Sequence, residues 1–129
     1  MVVVDTSIWI EAQRRPTGKT RATLRRLLDA DEVALALPVQ LELLAGVSRR
    51  DRAALTRGLS ALPLLRPSDD AWALVERWVP AAAARGFRFG LADWLITALA
   101  DEIDALIWSL DEDFTQLEKL KMARLYSLA

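Results

Sequence analysis

Cysteine and histidine are both absent from the 129 residues of this chain. Without cysteine the protein has no disulfides, no thiolate metal sites and no cysteine nucleophile. Without histidine it has no serine–histidine catalytic pair, no imidazole acid or base and no imidazole zinc ligand. Demanding chemistry must therefore rest on carboxylates, hydroxyls, lysine, arginine or tyrosine, and carboxylates favour hard cations such as Mg²⁺ and Mn²⁺.

Long apolar runs are also missing, because no stretch approaches the roughly 18 uninterrupted apolar residues that a membrane span requires. No charged leader precedes an apolar segment with a cleavage site, so we expect a soluble, cytoplasmic protein. The formal net charge is only −1, which argues against a protein that coats nucleic acid through its overall charge. An anionic partner would need a local basic patch.

Strand patterns alternate with helix patterns along the chain, which predicts an α/β sandwich with a central, mainly parallel sheet. Because 53% of the residues are apolar, the chain can build one continuous core, and we expect a single domain over residues 1–129. Val2–Val4 is a β-branched run typical of a strand buried on both faces. Further strands are predicted at 33–37, 62–65, 105–109 and 122–126, and the helices include one after Pro67–Asp70 that Pro80 would kink and one at 91–102.

Acidic residues directly follow two of the predicted strands. Asp5 comes after Val2–Val4, and Asp111 and Asp113 come after the strand at 105–109. The carboxyl ends of parallel strands form the crevice in which such sheets bind ligands. Like charges gathered there repel one another, and a bound cation would relieve the repulsion. The structural alternative is that Asp5 only caps the helix that follows it.

Two further carboxylates lie on predicted helices among apolar neighbours. Glu42 in PVQLELLAG shares a helix face with apolar residues, although it could instead be an exposed residue of a weakly amphipathic helix. Asp93 stands in the first turn of the apolar helix GLADWLITALA, where the helix dipole alone would favour a carboxylate. Thr97 lies one turn further on and could hydrogen-bond Asp93. Both acids are candidates for the same cation site.

A basic stretch runs from residue 12 to residue 28 without an acidic residue. Such a stretch could contact the phosphates of an anionic partner, or it could be an ordinary solvated helix face, which is what charge runs commonly form. The 5 tryptophans could stack on bases, but they lie on apolar stripes and we expect them in the core. The candidates for phosphate contact are Arg14, Arg15, Lys19, Arg21 and Arg25.

Four segments, in this order along the whole chain, resemble the PIN domain, and specifically the VapC toxins of bacterial and archaeal toxin–antitoxin pairs. The segments are VVVDTSIWIE, LELLAG, GLADWLITALA and SLDEDF. The Asp-Thr-Ser that follows a strand and the apolar helix that begins near Asp93 are the specific parts of the match. The resemblance implies a metal-dependent endoribonuclease, commonly a homodimer, which a cognate antitoxin inhibits by inserting a segment into the active-site groove.

The resemblance also implies roles for individual residues. It assigns Mg²⁺ or Mn²⁺ binding to an acidic quartet, with one further acid assisting, and a supporting role to neighbouring hydroxyls. Ser109 stands where many relatives have threonine, which is a conservative change. The implied ligands are Asp5, Glu42, Asp93 and Asp111, assisted by Asp113; the supporting hydroxyls are Thr6, Thr97 and Ser109; and the basic stretch would contact RNA phosphates.

Other functions stay open at this point. A catalytically silent PIN-like binding or regulatory module would have the same fold, although the four intact acids argue against it. Phosphoryl transfer through an aspartyl phosphate is a second alternative, but the phosphatases of that kind open with Asp-x-Asp, whereas Thr-Ser-Ile follows Asp5 here. The sequence does not reveal the RNA target, the antitoxin, or whether one ion or two would act.

Overall fold

Four parallel strands form the sheet at the centre of the protein. A computed structural model describes residues 1–127, and in it the strands lie in the order β3-β2-β1-β4. Every pairing between neighbouring strands in that sheet is parallel, so the predicted α/β fold with a mainly parallel sheet is confirmed. The strands are β1 (Val2–Val4), β2 (Val33–Ala36), β3 (Leu64–Leu65) and β4 (Leu106–Trp108).

Helices cover both faces of this sheet. Helix α6 has the predicted bounds, and Pro80 lies inside α5 without ending it. No helix within residues 1–127 is long and apolar enough to cross a membrane. The helices are α1 (Thr6–Arg14), α2 (Lys19–Asp29), α3 (Leu37–Gly46), α4 (Arg52–Ser60), α5 (Asp69–Ala84), α6 (Leu91–Glu102) and α7 (Glu112–Lys119).

The alternating side chains of β1 explain the layered architecture. Val3 belongs to a cluster of buried residues that includes Trp94 to Ala100 of α6, whereas Val2 and Val4 belong to a second cluster with residues of α1 and α2. Successive side chains of a strand point to opposite faces, so each face of β1 is covered by its own set of helices. A continuous run of valines is therefore the sequence that this central strand requires.

The predicted strand at residues 122–126 is wrong in extent, because the structure has only a single bridge there, between Leu125 and Ile107. The backbone N–H groups of Met122 and Ala123 donate instead to the Leu117 carbonyl at the end of α7, at 3.0 and 3.3 Å. These two residues therefore belong to the turn that ends α7, and the pairing beside β4 is confined to the bridge at Leu125.

The tryptophans follow the expectation of core packing with one exception. Trp94 and Trp108 are buried, and Trp9 and Trp78 are partly buried against the core clusters. Trp72 on α5 is 41% exposed, so the prediction is wrong for this residue.

The order of the strands places one crevice at the carboxyl ends of β1 and β4. The chain first lays β2 and β3 on one side of β1 and then crosses over to place β4 on the other side. Ligands of open parallel sheets bind where the strand order reverses in this way. The Asp5 N–H donates to the Trp108 carbonyl at 2.9 Å, which brings Asp5 beside the residue after β4, Ser109.

Candidate metal centre

Asp5 is buried at the end of β1, where it is held by two serine hydroxyls. The residue is only 8% exposed. Ser7 Oγ and Ser109 Oγ each donate to Asp5 Oδ2 at 2.7 Å, and the Ser7 N–H approaches the same oxygen at 3.4 Å. The last contact makes Asp5 the N-cap of α1, which is the capping role that the structural alternative predicts. These charge-assisted hydrogen bonds offset part of the desolvation cost of the carboxylate in the protein alone.

Three other carboxylates form a compact group, which we name the acidic trio: Asp93 in the first turn of α6, Asp111 at the N-cap of α7, and Asp113 in its first turn. Each places one carboxylate oxygen within 4.8 Å of the other two. Ligands on opposite sides of an octahedral Mg²⁺ are about 4.2 Å apart, since each lies about 2.1 Å from the ion. The all-oxygen donor set and its spacing therefore fit Mg²⁺ or Mn²⁺.

Electrostatic interactions connect the trio with the two remaining candidate acids. Burial, followed by the charges of Asp111, Asp113, Asp5 and Glu42, raises the pKa of Asp93 from 3.8 to about 6. Glu42 is an exposed residue, yet partial desolvation of its carboxylate and then the charge of Asp5 raise its pKa above the usual value. A divalent cation at this edge of the sheet would relieve the repulsion that raises both pKa values.

The structure differs from the implied ligand set in the place of Asp113. The resemblance implies an assisting role for Asp113, whereas the structure puts it inside the trio with Asp93 and Asp111. Asp5 and Glu42 are close enough to affect the pKa of Asp93, but within residues 1–127 they are not part of a group with ligand spacing. The N-cap geometry of α7 explains the place of Asp113 in the trio. The Asp113 N–H donates to Asp111 Oδ1 at 2.9 Å and brings the two residues together.

The supporting hydroxyls are arranged differently from the expectation. Thr6 Oγ1 is buried and has no hydrogen-bond partner among the described residues, so it does not contact Asp5. Ser109 has the expected place. The second hydroxyl on Asp5 is that of Ser7, which was not among the predicted site residues. The Asp-Thr-Ser motif contains the signal, because the residue two positions after an N-cap is the one whose N–H the cap accepts.

Thr97 does hydrogen-bond Asp93, but through the backbone. Its Oγ1 donates to the Asp93 carbonyl at 2.7 Å, and the residue is 0% exposed. This is the bond that a threonine inside a helix makes to the residue four positions earlier. Thr97 therefore does not orient the oxygens that would bind a cation.

Thr97→Val is consequently expected to change stability more than function. The variant removes one backbone-directed hydrogen bond and should lower the free energy of unfolding by about 0.5–1.5 kcal/mol, while Mn²⁺ affinity stays within about 3-fold of the wild type. Urea denaturation and calorimetric Mn²⁺ titration measure the two quantities. A 10-fold weaker Mn²⁺ affinity in the folded variant would show that the hydroxyl acts on the carboxylates after all.

A groove of about 800 Å³ lies between α1, α2, α3 and α4, and Glu42 is the one candidate acid of the site among its lining residues. Arg21 and Arg25 of α2 and Glu42 of α3 all line it. The other predicted phosphate contacts, Arg14, Arg15 and Lys19, are exposed but are not among its lining residues. Arg15 forms an ion pair with Glu11 at 3.1 Å. Two of the five basic candidates thus share a groove with Glu42.

Comparison with known proteins identifies the family of the chain. The PIN domain family model matches residues 2–120. Ribonuclease VapC11 of Mycobacterium tuberculosis is 30% identical in an alignment of 125 residues that covers 93% of each chain. Among solved structures, VapBC2 from Rickettsia felis bound to a DNA fragment from their promoter matches with a TM-score of 0.81 and 19% identity over 100% of both chains. A toxin–antitoxin complex from Klebsiella pneumoniae matches with a TM-score of 0.67 and 21% identity, over 88% of this chain and 90% of that one. The chain therefore belongs to the PIN-domain family.

Proposed function

We propose that the protein is a Mg²⁺- or Mn²⁺-dependent endoribonuclease and the toxin of a type II toxin–antitoxin pair. The observation that carries this proposal is the acidic trio, with one carboxylate oxygen of each member within 4.8 Å of the others. The trio lies in a PIN-domain chain that is 30% identical to a protein named ribonuclease VapC11. The donors are all oxygens, and the chain has no histidine or cysteine that would direct the site to zinc.

Each acid has a separate role in this proposal. Asp93, Asp111 and Asp113 hold the cation, Asp5 adds a buried carboxylate beside them, and Glu42 extends the negative charge to the groove. When bound, the cation supplies charge neutralisation at the phosphoryl oxygens and lowers the pKa of a water molecule. The protein supplies the fixed positions, since Asp5 and Asp93 project from a strand end and a helix first turn rather than from loops.

Arg21 and Arg25 position the RNA in this proposal through its phosphates. Both line the groove that also contains Glu42. Phosphate contacts fix the register of a nucleic acid strand without reading its sequence. The antitoxin would bind in the same groove, as the resemblance to VapC toxins implies. The implied homodimer stays a prediction.

Arg21→Ala and Arg25→Ala are each expected to weaken RNA binding to the same degree for different RNA sequences. Each loss should lower the slope of log K against log salt by about 0.7 for a single strand. Fluorescence anisotropy with labelled RNA at several salt concentrations measures the slope. Arg15→Ala is the matched control, because Arg15 lies outside the groove and is paired with Glu11. Equal slopes for all three variants and the wild type would contradict the assignment.

RNA cleavage by the purified protein tests the proposed function. Pools of structured RNA should be cut with Mg²⁺ or Mn²⁺ and left intact with EDTA, and Asp111→Asn should lose the activity. Asp101→Asn is the control, because Asp101 is an exposed acid outside the trio. Mn²⁺ binding by a protein that cuts none of the pools would favour the catalytically silent module. Cleavage that persists in EDTA would contradict the proposal.

A further inference from the structure

The two hydroxyls on Asp5 Oδ2, Ser7 Oγ and Ser109 Oγ, form a unit that we name the serine clamp. We infer that Ser7 is a positioning residue of the metal centre, because the clamp occupies one oxygen of Asp5 and ties the segment that carries Asp111 to the start of α1. The inference deepens the proposed function and rests on it, since the cation is the one proposed above. It adds a residue that sequence reasoning did not place in the site.

The direction of each hydroxyl proton follows from its other partner. The Leu110 N–H donates to Ser7 Oγ at 3.0 Å, and the Asp111 N–H donates to Ser109 Oγ at 2.9 Å. Each hydroxyl therefore accepts from a backbone amide and has its single proton available for Asp5 Oδ2 at 2.7 Å. Chains of this kind, from amide to hydroxyl to carboxylate, strengthen each member through polarisation.

The clamp engages one of the two carboxylate oxygens of Asp5. Within the part of the chain that the structure describes, all the hydrogen bonds to the Asp5 side chain reach Oδ2. Oδ2 accepts from two hydroxyls and approaches a third donor, so its lone pairs are committed. Oδ1 accepts no hydrogen bond among the described residues, and the clamp fixes the rotation of a carboxylate whose charge acts on Asp93 of the acidic trio.

The clamp also controls the position of the acidic trio. Ser7 is in the first turn of α1, whereas Leu110 and Asp111 connect β4 to α7. The bond from the Leu110 N–H to Ser7 Oγ therefore joins two elements that are 103 residues apart in the chain. Loss of the Ser7 hydroxyl removes one bond to Asp5 and one bond to the segment that carries Asp111. Partners behind the ligands of a metal typically change its affinity by about 10–100-fold.

Calorimetric titration of Mn²⁺ without RNA tests this role. The samples are the wild type, Ser7→Ala, Ser7→Cys and Ser7→Thr. Cysteine keeps the volume of the side chain but provides only a weak donor, whereas threonine restores a hydroxyl. Ser68→Ala is the matched control, because Ser68 Oγ also contacts a carboxylate, that of Glu102 at 3.1 Å, and a backbone amide, that of Ala71 at 3.2 Å. Glu102 and Asp93 are nine positions apart on α6, about 13 Å along the helix. Melting temperatures in EDTA report the structural effect of each substitution.

Ser7→Ala and Ser7→Cys are expected to raise the Kd for Mn²⁺ by at least about 10-fold, with Ser7→Thr within about 3-fold of the wild type. Ser68→Ala should lower the melting temperature without changing that Kd. Wild-type Kd values in folded Ser7→Ala and Ser7→Cys would overturn the inference and leave the proposed function standing. A wild type that binds no Mn²⁺ would contradict the proposed function, and the inference with it.

Discussion

Asp93→Asn is expected to make the metal-free protein more stable at pH 8 and to reduce metal-dependent RNA cleavage by at least about 100-fold. This reduction is larger than the one expected when a residue that only supports a metal ligand is lost. Burial and four neighbouring negative charges raise the pKa of Asp93 from 3.8 to about 6. Among the described residues no hydrogen bond reaches its carboxylate to compensate. The variant removes this unfavourable charge together with the proposed ligand.

The pH dependence follows from the direction of this shift. A carboxyl whose pKa is raised on folding costs nothing below its unfolded pKa, and the cost grows until the pH passes the folded value. For Asp93 the folded state therefore loses stability between about pH 4 and pH 6, and the full cost remains above that range. The shift corresponds to about 3 kcal/mol, which we discount to about 1–2 kcal/mol because the carboxylate is partly exposed to solvent.

Urea denaturation in EDTA at pH 5 and pH 8 measures this effect. Asp93→Asn should be about 1–2 kcal/mol more stable than the wild type at pH 8, and the difference should shrink at pH 5. Saturating Mn²⁺ should reverse the order, because only the wild type gains the stabilisation from binding. Asp101→Asn on the same helix is the control and should differ from the wild type by less than about 0.5 kcal/mol. An Asp93→Asn protein less stable than the wild type at pH 8 in EDTA would contradict this view of the site.

Asp5→Ala is expected to have the opposite effect on stability although it belongs to the same site. The carboxylate is the N-cap of α1 and accepts both hydroxyls of the serine clamp. Its removal loses a cap worth about 0.5–2 kcal/mol and leaves the two half-buried hydroxyls short of an acceptor, at about 1 kcal/mol, less than the cost for a fully buried group. We expect the free energy of unfolding in EDTA to fall by about 1–3 kcal/mol, because the relief of repulsion with Asp93 offsets part of these costs. RNA cleavage should also be lost.

The matched variant is Asp5→Asn, which keeps a side-chain oxygen as acceptor for the clamp but not the negative charge. It should lose cleavage as Asp5→Ala does and retain more of the stability. Chemical denaturation of the three proteins in EDTA, with circular dichroism to confirm the fold, separates the two effects. If Asp5→Ala were as stable as the wild type, the serine hydroxyls would have found other partners, and the hydrogen bonds of the clamp would contribute nothing to stability.

The places of Asp5 and Asp111 could be predicted because they depend on local rules. A β-branched run ends in an acid, and the carboxyl ends of neighbouring parallel strands meet at one edge of the sheet. The sequence reasoning explained the tolerance of a buried Asp5 by a cation and three other carboxylates. The structure adds another cause, since Ser7 and Ser109 stabilise this carboxylate in the protein itself.

Other features depended on geometry that no sequence pattern contains. Thr6 and Ser7 are both hydroxyl residues after Asp5, and only the N-cap conformation decides that Ser7 turns back to the carboxylate. Asp113 enters the trio through the first turn of α7. The segment at 122–126 has the composition of a strand, but the amides of its first two residues donate to the end of α7. Such competition for hydrogen bonds is invisible until the helix ends are known.

The central claim is that these carboxylates hold a divalent cation, and a crystal structure with Mn²⁺ tests it most directly. An anomalous difference map should show a peak about 2.0–2.6 Å from carboxylate oxygens of Asp93 and Asp111, and the peak should disappear in Asp93→Asn crystals grown in the same solution. The account would be contradicted if crystals at a saturating Mn²⁺ concentration showed no peak at this edge of the sheet, or showed Mn²⁺ only at other carboxylates.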